Sequence, residues 1–215
     1  IMLQNDIIED IGIFYGFGNI VEAPLKTFTI GSTSELIRFI DKVREIIAGL
    51  GYQEVLSPML TNKNPLYGKM NISDTGTVEI DDYMSETYSV VRSWLIPSLM
   101  EVFSKNRHVE FPQKIFEDGL MSSRKGDKII ECRRIAIASS HDGANYTEMR
   151  QILDYMMKLF GLSCDIEEAE HSSFIEGRVG RAIVKGKKVA YLGEISPVVL
   201  SNWKLEMPVA ALELN

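Results

Sequence analysis

Asp6, Glu9 and Asp10 fall at i, i+3 and i+4, a spacing that sets three carboxylates on one side of a helix. Like charges so placed repel one another, and a hard cation such as Mg²⁺ would offset the cost. Near a helix start the same acids also complement the helix dipole, and both readings stand. Ser139, Ser140, His141 and Asp142 supply the residue types of nucleophilic catalysis. Adjacent residues seldom face each other in triad geometry, and no G-x-S-x-G elbow is present, so a strand end running into a polar loop is the better reading. His171, in "AEHSSFIEGR", lacks a ligand partner at metal spacing and reads as a loop histidine. "YGFGNI" has a G-x-G but no third glycine and follows a helix, which is a poor dinucleotide loop. The basic tract "RKGDKIIECRR" and the lysines near 185–188 could touch phosphates, although solvated hairpin tips have the same composition.

These groups must be carried by a chain of 215 residues, 45% hydrophobic and 25% charged, enough for one large domain or one domain plus a fragment. The net charge of -7 means that any nucleic-acid contact needs a local basic patch or a partner. Cys132 and Cys164 lack CxxC spacing and read as reduced thiols of a cytoplasmic protein. No leader opens the chain and no apolar run approaches ~18 residues, so neither secretion nor a membrane span is expected. The glycosylation patterns at Asn71 and Asn145 are then chance matches. The chain begins at Ile1 inside a helical pattern and reads as a piece of something longer.

Residues 4–17 form an amphipathic helix with Ile7, Ile8, Ile11 and Tyr15 on one face, ended by Gly16 and Gly18. A linker follows, and a boundary near Pro24 divides residues 1–25 from 26–215. Ser32 and Glu35 have capping-box spacing and open a helix with Leu36, Ile37, Ile40, Val43, Ile47 and Leu50 at its period. After Gly51, "YQEVLSPML" is extended, and Pro58 places it at a strand end or sheet edge. A helix over about 92–106 presents Leu95, Leu99, Met100 and Phe103. "PQKIFEDG" is a short strand ended by Gly119, and residues 133–139 are a buried strand. Thr147 caps a helix running to Phe160, with Gly161 as its stop, and residues 181–195 form a hairpin. Ser196-Pro197 starts a short helix and "MPVAALEL" is the last strand. The interleaving predicts an α+β domain, a mainly antiparallel sheet flanked by helices.

A helix, then Gly51-Tyr52, Val55-Leu56 and Pro58-Met59-Leu60, resembles motif 1 of the class II aminoacyl-tRNA synthetases, where a helix and a proline-ended strand build the subunit interface. "SETYSVVRSWLIPSLMEVFSKNRH", "PQKIFEDG" and "GEISPVVLSNWKLEMPVAALEL" narrow the resemblance to the phenylalanyl-tRNA synthetase beta chain in its archaeal form. The resemblance implies a catalytic-like module from about residue 26. Before it would lie the final helix and linker of a winged-helix-like, metal-binding domain. That domain's magnesium pattern is an acid, five residues, then D-x-x-E-[DE]. Asp6, Glu9 and Asp10 match its last three positions, and the first would precede Ile1, leaving the site incomplete here.

The resemblance also identifies departures. The motif 2 arginine position, aligned on Glu117, holds Ile115, with Lys114 one residue off on the opposite strand face. The acid-arginine pair of motif 3 reads Glu213-Leu214. Losing one phosphate-facing cation commonly costs ~3 kcal/mol of transition-state stabilisation, so no catalytic residue is expected in this chain. The implied alpha subunit carries ATP and phenylalanine, in an (αβ)₂ enzyme acting on tRNA(Phe), and Phe39, Ile46, Pro58 and Trp94 are expected at the interface. Two other classes remain: an amino-acid sensor or ligase on the same fold, and a tRNA-binding module using Arg124, Lys125, Arg133 and Arg134.

Overall fold

The computed structural model describes residues 3–215. Two units pack separately, the first ending at Glu35 and the second comprising Leu36–Asn215. The expected boundary near Pro24 lies within an exposed segment, residues 20–34, that forms no helix or strand. In the first unit, helix α1 (Gln4–Tyr15) buries none of its residues. Its apolar positions Ile7, Ile8, Ile11 and Tyr15 are all exposed. Among the described residues, no helix is long and apolar enough to cross a membrane.

The second unit begins one residue into α2 (Glu35–Gly49), which is followed by the short strand β1 (Gln53–Glu54). Its start puts Ser34, not Ser32, immediately before the first helical residue. Strands β2 (Leu60–Thr61), β3 (Val78–Glu79) and β4 (Val90–Val91) form a small antiparallel sheet in the order β2-β4-β3. Helix α3 (Ile96–Lys105) starts later than the periodicity indicates, which frees Arg92 from the helix. The main sheet continues with β5 (Gln113–Lys125) and β6 (Lys128–Ser140). Helix α4 (Tyr146–Leu159) is capped by Asn145, whose side chain accepts from Glu148 N, and not by Thr147. The remainder is β7 (Asp165–Glu168), β8 (Phe174–Val184), β9 (Lys187–Ile195), α5 (Pro197–Asn202) and β10 (Val209–Leu214). Ser196 caps α5 as its position before Pro197 predicts.

Seven strands order as β1-β5-β6-β10-β9-β8-β7. All neighbours are antiparallel except β1 with β5, so the α+β, mainly antiparallel expectation holds. The proline-bearing segment follows an edge strand, as a residue without a ladder N–H requires. Alternation along β5, β6 and β10 sends successive side chains to opposite faces. One face packs Phe116, Ile137, Ala210 and Leu212 against α2 and α4, and the other packs Ile115, Ala138 and Ala211 against α3 and α5. The sheet therefore separates α2 from α3, and the two helices do not bury each other.

Gly119 does not end β5. The strand runs through it into a thirteen-pair hairpin with β6. A Cβ at Gly119 would collide with the guanidinium of Arg92, which crosses the strand there. Gly119→Ala should displace Arg92 from its buried carboxylate partner and cost about 3–5 kcal/mol of unfolding free energy. At Gly49 an added Cβ meets nothing within 4 Å, so Gly49→Ala should be neutral or stabilising by up to about 1 kcal/mol. Urea denaturation of the two variants measures both.

Candidate functional site

The loop after β1 is locked onto β5 by a buried ion pair. Arg92 Nη1 lies 2.6 Å from Glu117 Oε1, with side chains 4% and 0% exposed. Ser57, immediately before Pro58, donates to the same carboxylate through its N–H (3.1 Å) and its hydroxyl (2.6 Å). Arg92 Nη1 also donates to Ser57 Oγ, and its Nε donates to the Leu120 carbonyl. Pro58 itself remains exposed.

On the same sheet face, Glu213 sits at the start of α3. Its Oε2 accepts the backbone N–H groups of Leu95 (2.8 Å) and Ile96 (3.1 Å), and its Oε1 accepts from Arg134 Nη1 (2.7 Å). A carboxylate here satisfies donors that a helix start leaves open, which explains why α3 begins at Ile96. Burial disfavours the charge on Arg134, but Glu213 outweighs it and raises the guanidinium pKa. Beside this pair lies a cavity of about 340 Å³, lined among others by Trp94, His171, Phe174, Arg181 and Tyr191. Arg181, Tyr191 and Glu213 are in register across β8, β9 and β10 and form one row of its wall.

The opposite face carries a third acid-centred cluster. Glu148 Oε1 accepts from Lys114 Nζ (2.8 Å) and Ser139 Oγ (3.1 Å), while Oε2 meets His141 Nε2 at 3.0 Å. Tyr52 Oη completes it, 2.6 Å from Ser139 Oγ and 3.2 Å from Glu148 Oε1. Burial works to raise the Glu148 pKa, but the hydrogen bonds from Lys114 and His141 hold it below the usual carboxylate value. Burial, reinforced by that carboxylate, pushes the Tyr52 hydroxyl well above its ordinary value, so it stays protonated. Ser139 and His141 each bond Glu148, no bond links serine to histidine, and Asp142 is exposed. This is a lock between β5, β6 and α4, and it lacks the order of a triad.

The residues singled out in the sequence are not gathered into one place. Ile115 is 7% exposed and packs under α3, whereas Leu214 packs on the α2–α4 side. The two positions thus lie on opposite faces of the sheet. Lys114 does project opposite to Ile115, and it is engaged with Glu148. Phe39 is 48% exposed and Ile46 half-buried on α2, with the Phe39 ring 5.1 Å from Phe160, just after α4. Trp94 is on the other side of the sheet, where its Nε1 donates to the Leu66 carbonyl and its ring lines the cavity. It therefore does not share a surface with Phe39. Ile96 is buried because it opens α3 beneath Glu213.

The basic tract is divided as well. Arg133 is bidentate on Asp118 and Arg134 pairs with Glu213, on opposite faces, while Arg124 and Lys125 are exposed at the hairpin tip. Four basic residues in one tract do not make one patch. In the first unit, Asp6 accepts the Leu3 N–H at 2.7 Å, the capping role open to an acid at that position. Among the described residues, no group of three or more His, Cys, Asp or Glu side chains is arranged to hold a metal ion. Asp6, Glu9 and Asp10 therefore do not by themselves fit Mg²⁺. His171 lies in the loop before β8, as expected, and its ring lies 5.2–5.7 Å from those of Phe174, Tyr191 and Trp94. The one local hint of buried Arg92 is a charge set in the apolar run "SVVRSWL".

Helices on both faces of this mainly antiparallel sheet define the class II aminoacyl-tRNA synthetase fold. The chain is similar to a pyrrolysyl-tRNA synthetase of Desulfitobacterium hafniense, with a TM-score of 0.67 at 17% identity over 84% of this chain and 66% of that one. At that identity the likeness shows the fold alone. Sequence similarity goes further. The family described as the phenylalanyl-tRNA synthetase beta chain CLM domain matches residues 21–215. Beta subunits of phenylalanine–tRNA ligase from Thermococcus onnurineus and Pyrococcus abyssi are each 42% identical to it over its whole length. That from Methanocella arvoryzae is 37% identical, again over the whole chain. The chain belongs to the phenylalanyl-tRNA synthetase beta chain family. It spans 39–40% of the length of these curated relatives.

His171 provides a pH readout of the cavity. Burial first, and the neighbouring Arg181 charge second, hold its pKa below the usual value. Between that lowered value and the unfolded value of about 6.5, the unfolded chain binds more protons than the folded one. Stability should therefore fall as pH drops through this window. His171→Phe, which keeps a ring among the aromatics, should remove that part of the acid loss. Urea midpoints at successive pH values between neutrality and pH 5 test this.

Proposed function

We propose that this chain is the architectural, non-catalytic module of a phenylalanine–tRNA ligase beta subunit. It packs on an alpha subunit that binds ATP and phenylalanine, within a cytoplasmic (αβ)₂ enzyme that attaches phenylalanine to tRNA(Phe). Residues 1–25 continue the preceding metal-binding domain, and Mg²⁺ belongs to that domain when complete. The observation that carries this reading is the state of the acids and cations on the sheet. Glu117 and Glu213 spend their oxygens on internal donors, and Arg92 and Arg134 are spent on those carboxylates. Ile115 fills an apolar site beneath α3. At Glu117 and Glu213 a nucleoside triphosphate would meet cations already paired with carboxylates and not free for the charge building on its phosphates.

The outer side of α2 and α4 supports assembly. Phe39, Leu36, Tyr155 and Leu159 are all exposed there, beside half-buried Ile46. Apolar side chains spread beyond a helix's core stripe are the mark of a face that meets a partner. Phe39→Glu should leave this chain folded, at a cost of about 1 kcal/mol for its lost ring contact with Phe160. The same change should abolish co-purification with a co-expressed alpha subunit. Normal assembly of the variant would overturn the placement of the interface.

A second measurement addresses chemistry. The purified chain should support no phenylalanine-dependent pyrophosphate exchange with ATP and Mg²⁺, and exchange above background would show that it forms an adenylate itself.

A further inference from the structure

The sequence holds two Asp-Gly pairs, Asp118-Gly119 and Asp142-Gly143, and the fold treats them oppositely. Asp118 is buried in mid-strand, its carboxylate gripped by Arg133, and Gly119 pairs across the ladder with Arg134. Asp142-Gly143 lies in the exposed turn between β6 and α4, with the Asp142 side chain 99% exposed. In an Asp-Gly pair the glycine nitrogen can approach the preceding carboxyl closely, because no Cβ obstructs it.

At this turn that nitrogen already meets a base. The Gly143 N–H donates to His141 Nδ1 at 3.2 Å. A ring nitrogen that accepts is unprotonated, so the imidazole proton sits on Nε2 and is donated to Glu148 Oε2 at 3.0 Å. Carboxylate, imidazole and N–H thus form a chain in the order that equips a histidine as a general base. Glu148 is itself fixed by Lys114, Ser139 and Tyr52, so the imidazole is held from a rigid side. Asp142 Oδ1 lies 3.9 Å from the same Nδ1, which brings the electrophilic carboxyl beside the base as well.

We propose that Asp142 converts to isoaspartate in the folded chain, with His141 as the base at the Gly143 nitrogen. A bond forms between Gly143 N and Asp142 Cγ. The amide proton passes to His141 Nδ1 and leaves with the hydroxyl of the protonated carboxyl as one water. Water, the only co-reactant, then opens the succinimide at the Asp142 main-chain carbonyl. The chain now runs through the side-chain carbon, with no change of mass. The added backbone methylene draws Gly143 away from His141 and from Asn145, whose Nδ2 donates to the Gly143 carbonyl and whose Oδ1 caps α4. The proposal goes beyond the architectural role and does not depend on it.

The 215-residue chain is warmed at neutral pH for several weeks. Isoaspartate is measured by enzymatic carboxyl methylation and located by peptide mapping. It should accumulate at residue 142 and not at residue 118. His141→Asn keeps an oxygen acceptor near the Nδ1 position and removes the base, and should slow accumulation about tenfold. Loosening of the turn would speed the reaction, so slowing cannot arise from misfolding. A synthetic peptide of residues 138–147, which contains His141 but not Glu148, gives a second readout and should age more slowly than the folded chain. Equal accumulation at both Asp-Gly pairs, an undiminished rate in His141→Asn, or a peptide that ages as fast as the folded chain would each overturn the proposal.

Discussion

The Arg92–Glu117 pair is the constraint around which the second unit is arranged. Both charges are removed from water, and neither would be tolerated there alone. Their remaining hydrogen-bonding capacity goes to Ser57 and the Leu120 carbonyl, so the loop after β1, the end of β4 and the middle of β5 become one junction. Strand β1 pairs through two residues only and has little ladder of its own to hold it. The absent side chain at Gly119 belongs to the same device, because Arg92 occupies the volume a Cβ would take.

The acids elsewhere follow the same logic. Glu213 closes the start of α3 and pins Arg134, while Glu148 ties β5, β6 and α4 together. Each carboxylate is surrounded by donors from several elements. Such sites rigidify a fold, and they leave the same oxygens unable to coordinate a cation or activate a substrate. A sheet that could present acids and arginines outward turns most of them into internal fasteners. Arg181 on the cavity side stacks on the Tyr191 ring and forms no salt bridge among the described residues.

The sheet also acts as a partition. Its two faces feed separate buried clusters, with α2 and α4 on one and α3 and α5 on the other. Phe39 and Trp94 therefore face different environments, although both are aromatic residues on the flank of a predicted helix. For Phe39 the surroundings stop at Phe160 and solvent, whereas Trp94 finds Leu66, His171 and the cavity within its own unit. The apolar face on α2 and α4 is thus exposed, and the aromatic cavity is internal to the unit.

Local physics made much of the architecture readable. The 3.6-residue period identified α2 and α4, Ser196-Pro197 opened α5, and the turn at Lys185-Gly186 adopts positive φ at both residues. Pro58 implied an edge because a missing N–H is a property of the residue itself. Such signals located the helices and most strands of the main sheet, whereas the family was read from the resemblance of whole segments. What the sequence could not settle were contacts made by residues far apart in the chain. Glu213 decides where α3 begins from more than a hundred positions away, Arg92 decides why residue 119 is glycine, and strand pairing alone sets Arg181 beside Tyr191 and Glu213. Periodicity and capping report on a few neighbouring residues, whereas buried charge and cavity shape arise only when the sheet brings distant strands into register.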